Sequence, residues 1–195
     1  MRRQGERTSA RAIIIMGVSG SGKSTLASLL AEKLACPFLE GDAFHSTANV
    51  AKMRRGEALT DADRWPWLDR LGTAIGVAVA GEGLAVAACS ALKRAYRDRL
   101  RAAAVAPALF VLLEVERGEL VRRLHNRTDH YMPASLLDSQ LAILETPGTD
   151  EMALTLDSSQ PPHLLADRVA AWLTDNNGFD ESKTALGWGR QSLIV

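Results

Sequence analysis

Cysteine is almost missing from this chain: Cys36 and Cys89 are the only two, and no C-x-x-C spacing joins them, so neither a disulfide scaffold nor a thiolate zinc site is indicated. A surplus of either charge is missing as well. Lys plus Arg and Asp plus Glu number 23 each, so net charge does not advertise nucleic acid as a partner. Long apolar runs are absent too. The run at 12–16 follows a basic stretch at 1–11 and is far too short for a signal peptide or a membrane span. Together these absences favour a reducing cytoplasm, and 195 residues favour one compact domain.

What the chain does have is apolar stretches of strand length alternating with longer stretches of helical period. That alternation is the mark of βαβ units, and it predicts an α/β fold with a parallel sheet covered by helices on both faces. Strands are expected at 12–16, 37–40, 84–89, 108–113 and 152–156, with 108–113 branched enough to be central. Helices are expected at 23–35, 46–55, 61–80, 93–103, 117–127, 133–144 and 164–173, with Asp61 as N-cap of the third. The remainder, 174–195, shows no period.

Between the first strand and first helix lies Gly17-Val18-Ser19-Gly20-Ser21-Gly22-Lys23-Ser24, which fits G-x-x-x-x-G-K-[ST] in the context the motif requires. A triphosphate needs converging backbone N–H donors, and Gly17, Gly20 and Gly22 allow the chain to close around it. Lys23 is placed to reach the β- and γ-phosphates, Ser24 to coordinate Mg²⁺, and Thr25 to hold the α-phosphate. Kinases, ATPases and GTPases share this P-loop, so other residues must choose among them. The N-K-x-D of a guanine reader is absent, and 109–114 ends in one glutamate, not the acidic pair of a motor ATPase. A small-molecule kinase needs a carboxylate near the γ-phosphate to accept the hydroxyl proton or hold magnesium. Asp42, at the end of the second strand and on the strand tip next to the cradle, answers that need; the other reading of Asp42 is a cap for the helix that follows.

Several further blocks carry a family resemblance over residues 13–173. They are Glu40-Gly41-Asp42 with His45, then Asn49, Lys52-Met53, Gly56, Leu59, Asp61, Asp63-Arg64 and Trp67-Leu68. Cys89-Ser90-Ala91-Leu92-Lys93 follows with Tyr96-Arg97-Asp98, and Arg127 precedes His130-Tyr131-Met132-Pro133. Leu136-Leu137, Ser139-Gln140, Leu144-Glu145 and Pro147 complete the set. With these motifs the chain resembles the gluconokinase family of P-loop kinases.

The resemblance implies a fold like that of nucleoside monophosphate and shikimate kinases, with a five-stranded parallel sheet and a lid. It also implies transfer of a phosphoryl group from ATP, with Mg²⁺, to the 6-hydroxyl of gluconate, and a possible homodimer. Gluconate is an anionic polyol, so its pocket calls for cationic and hydrogen-bonding side chains; His45, Arg54, Arg64, Lys93 and His130 are the candidates, beside Asp42. Arg123 and Arg127 border the segment that resembles the lid, where such arginines neutralise charge on the transferred group. Lys23, Asp42 and Arg127 are the expected catalytic residues, and Ser24 and Asp42 the metal ligands.

The organisation expected is an N-terminal extension (1–11), a kinase domain (12–174, lid about 117–133) and a tail (175–195). The chain departs from the family pattern at Asp129, where glycine is usual, at Ala58, where proline is usual, and in the tail. Two other readings stay open: a kinase for a different small hydroxylated acid such as shikimate, and a nucleotide-binding module without transfer chemistry.

Overall fold

The computed structural model describes residues 10–125 and 136–176. Strands β1 (Arg11–Met16), β2 (Phe38–Glu40), β3 (Leu84–Ala88), β4 (Ala108–Glu114) and β5 (Ala153–Asp157) form one parallel sheet in the order β2-β3-β1-β4-β5. Helices α1 (Lys23–Leu34), α2 (Thr47–Arg54), α3 (Asp61–Glu82), α4 (Arg94–Ala104), α5 (Arg117–His125), α6 (Leu137–Ala142) and α7 (Pro162–Asp175) connect and cover it. No helix among the described residues is long and apolar enough to cross a membrane.

The run Ile13-Ile14-Ile15 makes β1 because side chains alternate across a strand and both faces here are buried. Ile13 and Ile15 pack with Leu26 and Leu30 of α1 and Leu165 and Val169 of α7. Ile14 and Met16 point the other way, onto Leu68, Leu71 and Ile75 of α3 and Tyr96 and Leu100 of α4. Each such fully buried side chain contributes about 1.5–3 kcal/mol, so this layered core holds the loops at the carboxyl ends of the strands in fixed relation. A third cluster, Val18, Leu92, Leu120 and Leu137, fastens α5 and α6 behind the P-loop.

Two expectations need correction. The N-cap of α3 is Thr60, not Asp61: the Thr60 hydroxyl accepts from Asp63 N–H, and the Asp63 carboxylate accepts from Thr60 N–H at 2.9 Å. This capping box satisfies two helix-end donors at once, which Asp61 alone would not. Strand β4 is interior to the sheet as expected, flanked by β1 and β5, and β1 is the middle strand, because the helix crossovers place later strands on both sides of the first. For the same reason β2 is not adjacent to β1; β3 lies between them.

Candidate active site

The P-loop leaves β1 through three glycines with positive φ, Gly17 at 138°, Gly20 at 84° and Gly22 at 95°. Gly22 starts α1 with no side-chain cap and no acidic residue in the first turn. By contrast, α2 and α3 are capped by the Ser46 and Thr60 hydroxyls. The positive end of α1 is thus left to an external anion, and the Lys23 ammonium bends back to the Val18 carbonyl at 2.9 Å over the same turn.

Although β3 separates them, the cradle and Asp42 line one cleft, together with Ser19, Ser24, His45, Met53, Leu59, Arg64, Trp67, Ser90 and Gln140. Asp42 lies in a short 3₁₀ turn, Gly41–Phe44, that α3 grips at both ends. Trp67 Nε1–H donates to the Gly41 carbonyl at 2.8 Å, and the Arg70 guanidinium donates to the Phe44 carbonyl at 2.9 and 3.1 Å. Only glycine fits at 41, since a Cβ there would stand 2.3 Å from the Ala88 carbonyl oxygen. Asp42 does not cap α2; Ser46 does, accepting from Asn49 N–H at 3.1 Å. Its carboxylate faces the cleft with His45 Nε2 4.0 Å away.

His45 stacks on Trp67 with ring centroids 4.2 Å apart, and its buried Nδ1 has no hydrogen-bond partner among the described residues. Burial drives its pKa down to about 4, against the opposing pull of Asp42 and with Arg64 and Arg70 adding to the depression. The imidazole is therefore neutral at pH 7 and does not pair with Asp42 as a cation. Arg64 is 8 % exposed; its guanidinium donates to the Leu59 carbonyl at 3.3 Å and sits 5.4 Å from the Tyr96 ring centroid. Among the described residues it forms no ion pair, although its charge helps to lower the Asp61 carboxyl, which is held by Tyr96 and Lys93. A buried cation without an anionic partner is costly, and an anionic ligand in the cleft would relieve that cost.

Other expected residues stand elsewhere. Arg54 is exposed on α2 and does not line the cleft. Lys93, at the N-cap of α4, is engaged by Asp61 at 2.9 Å, and that carboxylate also accepts from the Tyr96 hydroxyl. Arg127 and His130 lie outside the described residues, as does most of the segment beyond α5 expected to form the lid, and 177–195 of the expected tail. Arg123 borders a second recess on the Thr25 side of the cradle, where it binds Glu119 Oε1 at 2.7 Å, Ser158 Oγ at 3.0 Å and the Ser158 carbonyl at 2.8 Å. Cys89 is buried, and burial pushes its thiol up to about 12, which leaves it unreactive.

A family model described as AAA domain matches residues 13–147. A gluconokinase of Gluconobacter oxydans is 48% identical over 160 residues, which cover 82% of this chain and 89% of that protein. The crystal structure of a gluconokinase from Sinorhizobium meliloti superposes with a TM-score of 0.74 at 44% identity, covering 87% of this chain and 94% of the other. The chain belongs to the gluconokinase family. A shikimate kinase from Aquifex aeolicus, 16% identical with a TM-score of 0.53 over 85% of this chain and 97% of its own, shares the fold alone.

Two parts of the candidate site escaped the sequence reading. One is the wall of the second recess made by Ser158, Ser159, Gln160, Pro161 and Pro162, between β5 and α7. Its position just past a strand's carboxyl end was the available signal, because ligands of parallel sheets gather on that rim. The other is Gln140, which meets the cradle from α6 and was visible only as one letter of a family motif.

Proposed function

We propose that this gluconokinase-family protein transfers the γ-phosphoryl group of ATP to the 6-hydroxyl of D-gluconate, giving 6-phospho-D-gluconate. The observation that carries the reading is the buried guanidinium of Arg64, which forms no ion pair among the described residues, in the same cleft as Lys23, Ser24 and Asp42. It is a preformed receptor for the gluconate carboxylate, and it leaves the far end of the acceptor to face the phosphates. His45, which lines the same cleft, presents a neutral imidazole edge to a polyol hydroxyl. Asp42 takes the proton from the attacking hydroxyl, while Lys23 and the cradle N–H groups hold the phosphoryl oxygens. The second recess, walled by Leu26, Leu113, Pro161, Pro162 and Leu165, accommodates the nucleoside, with Thr25 at the α-phosphate and Arg123 at its border.

Mg²⁺ suits this donor set. No group of three or more His, Cys, Asp or Glu that could cage a metal occurs among the described residues, and the Ser24 hydroxyl and Asp42 carboxylate line the cleft together. Magnesium of this kind takes few protein ligands, and when bound beside the phosphates it neutralises charge on the transferred group. Arg127 and His130 join the reading through the family motif alone, as charge neutraliser and acceptor contact. A cytoplasmic homodimer is the working assembly, to be checked by light scattering.

The deciding experiment couples ADP release to a spectroscopic signal with ATP, Mg²⁺ and gluconate, against the same mixture without gluconate and against a panel of other sugar acids and shikimate. Gluconate-dependent ADP release exceeding that with every other acid is expected. Preference for another acid would replace the acceptor, and ATP binding without turnover on any acid would remove the enzymatic reading.

A further inference from the structure

Gln140 sits on α6, 7 % exposed, and its Oε1 accepts a hydrogen bond of 2.7 Å from the backbone N–H of Ser19, a bond spanning 121 residues of sequence. Ser19 belongs to the cradle, and with its N–H engaged by Gln140 it is held in place at the tip of the turn, beside the N–H groups left to face a phosphate. On the opposite flank the Ser158 hydroxyl donates to the Ser21 carbonyl at 2.7 Å. The P-loop backbone is therefore held from two sides by side chains outside it.

Packing alone does not require an amide at 140. Leu137 is buried against Val18 and Leu120, and Leu141 and Leu144 lie against the same cluster, so α6 is already fastened by apolar contact. A buried amide must be satisfied to be tolerated, and a leucine would fill the place without that demand. The side chain also faces the cleft that holds Lys23, Ser24 and Asp42, where an uncharged acceptor can bind a cradle N–H without repelling phosphate as a carboxylate would.

We propose that Gln140 is a positioning residue for phosphoryl transfer: by holding the Ser19 amide it fixes the tip of the cradle, so that the γ-phosphoryl group is directed at the acceptor hydroxyl beside Asp42 and not at water. This rests on the kinase reading given above. The cradle still binds ATP without it, through Lys23 and the first turn of α1, so the loss falls on kcat and on coupling.

The test compares wild type, Q140L and Q140E. Q140L is expected to lower kcat about 10- to 30-fold, as losing one hydrogen bond that positions a reacting group does, with KM for ATP within about threefold. The share of ADP released without gluconate should rise. Q140E keeps an acceptor for Ser19 and should recover most of kcat, while its negative charge raises KM for ATP. A Q140L enzyme with unchanged kcat and coupling, or with a lower melting temperature as its sole defect, overturns the proposal. Should Q140L not fold, Q140E decides, because an unchanged KM for ATP would place the side chain away from the phosphates and overturn it equally. Wild-type turnover on gluconate tests the kinase reading separately. If that were nil while ATP bound, the kinase reading would fail and this proposal with it, whereas a working wild type beside an unchanged Q140L overturns the proposal alone.

Discussion

Trp67 donates its indole N–H to the carbonyl of Gly41 at 2.8 Å, the residue immediately before Asp42. The same ring carries His45 on its face, so one buried side chain of α3 sets both the turn and the imidazole of the acceptor side. W67F keeps an aromatic face but leaves the Gly41 carbonyl without its donor. The cost is about 1–3 kcal/mol, which for a domain of this size lowers the melting temperature by roughly 2–10 °C. A fall in kcat with little change in KM for ATP should accompany it, measured by thermal unfolding and steady-state kinetics. Unchanged kcat would show that the turn keeps its shape without the indole.

Asp42 has no capping duty in α2, which leaves its carboxylate to the cleft. D42N preserves shape and removes the base, so kcat should fall about 10²- to 10⁴-fold, the usual contribution of a positioned general base. ATP affinity, set by the cradle and Lys23, should change by only a small factor. Equal losses in both constants would mean that Asp42 serves nucleotide binding and not proton transfer.

Arg64 separates acceptor binding from nucleotide binding. R64M should raise KM for gluconate about 10- to 100-fold, the worth of a charged hydrogen bond, while KM for ATP stays near wild type. R64K should recover part of the loss, since lysine restores the charge without the planar fork. If R64M leaves KM for gluconate unchanged, the carboxylate is bound elsewhere.

These residues were unequally legible. Lys23 and Ser24 could be read directly because their function depends on contiguous spacing, and the order of strands and helices followed from apolar periods that the two-sided core enforces. Asp42 was legible as the end of a strand, but its distance in the sheet was not, because strand order depends on crossovers that leave no local mark. Arg54 and Arg64 are both basic residues within expected helices; burial of Arg64 against Tyr96 distinguishes them, and burial is a property of the assembled fold. The capture of Lys93 by Asp61, 32 residues away, and the bond from Ser19 to Gln140 are likewise products of packing that no short pattern announces.

His45 should make stability depend on pH in a stated direction. Its folded pKa of about 4 is below the ordinary 6.5, chiefly through burial. The unfolded chain therefore takes up the proton first, so this contribution is complete above about pH 6.5 and is lost as pH falls toward 4. Its full size is about 3 kcal/mol. Urea unfolding of wild type and H45Q at pH 7 and pH 5 should show a smaller drop in the variant. Parallel curves would mean that the imidazole is solvated in the folded state.

The last prediction concerns the ion pair that holds the far side of the site. Arg97 and Glu151 are both almost fully buried and form a two-pronged bond at 2.6 and 2.7 Å. Arg97 also donates to the Glu145 carbonyl at 3.0 Å, and Glu151 accepts from Gly148 N–H at 3.1 Å, so the pair ties α4 to the loop that follows α6. Burial alone would raise the Glu151 carboxyl, but hydrogen bonds from Arg97 and Gly148 and the charges of Arg97 and Arg101 prevail and hold it below the usual range. A carboxyl lowered in the folded state contributes stability that is present above its unfolded pKa and lost as pH falls through its folded value, so acid should loosen this tie. E151L should cost about 3–5 kcal/mol, because it strands a buried guanidinium, whereas the double variant R97M/E151L should be less destabilised than R97M or E151L alone. Additive losses in that cycle, measured by chemical denaturation, would show that the two charges are solvated independently and that the α4 tie rests on packing instead.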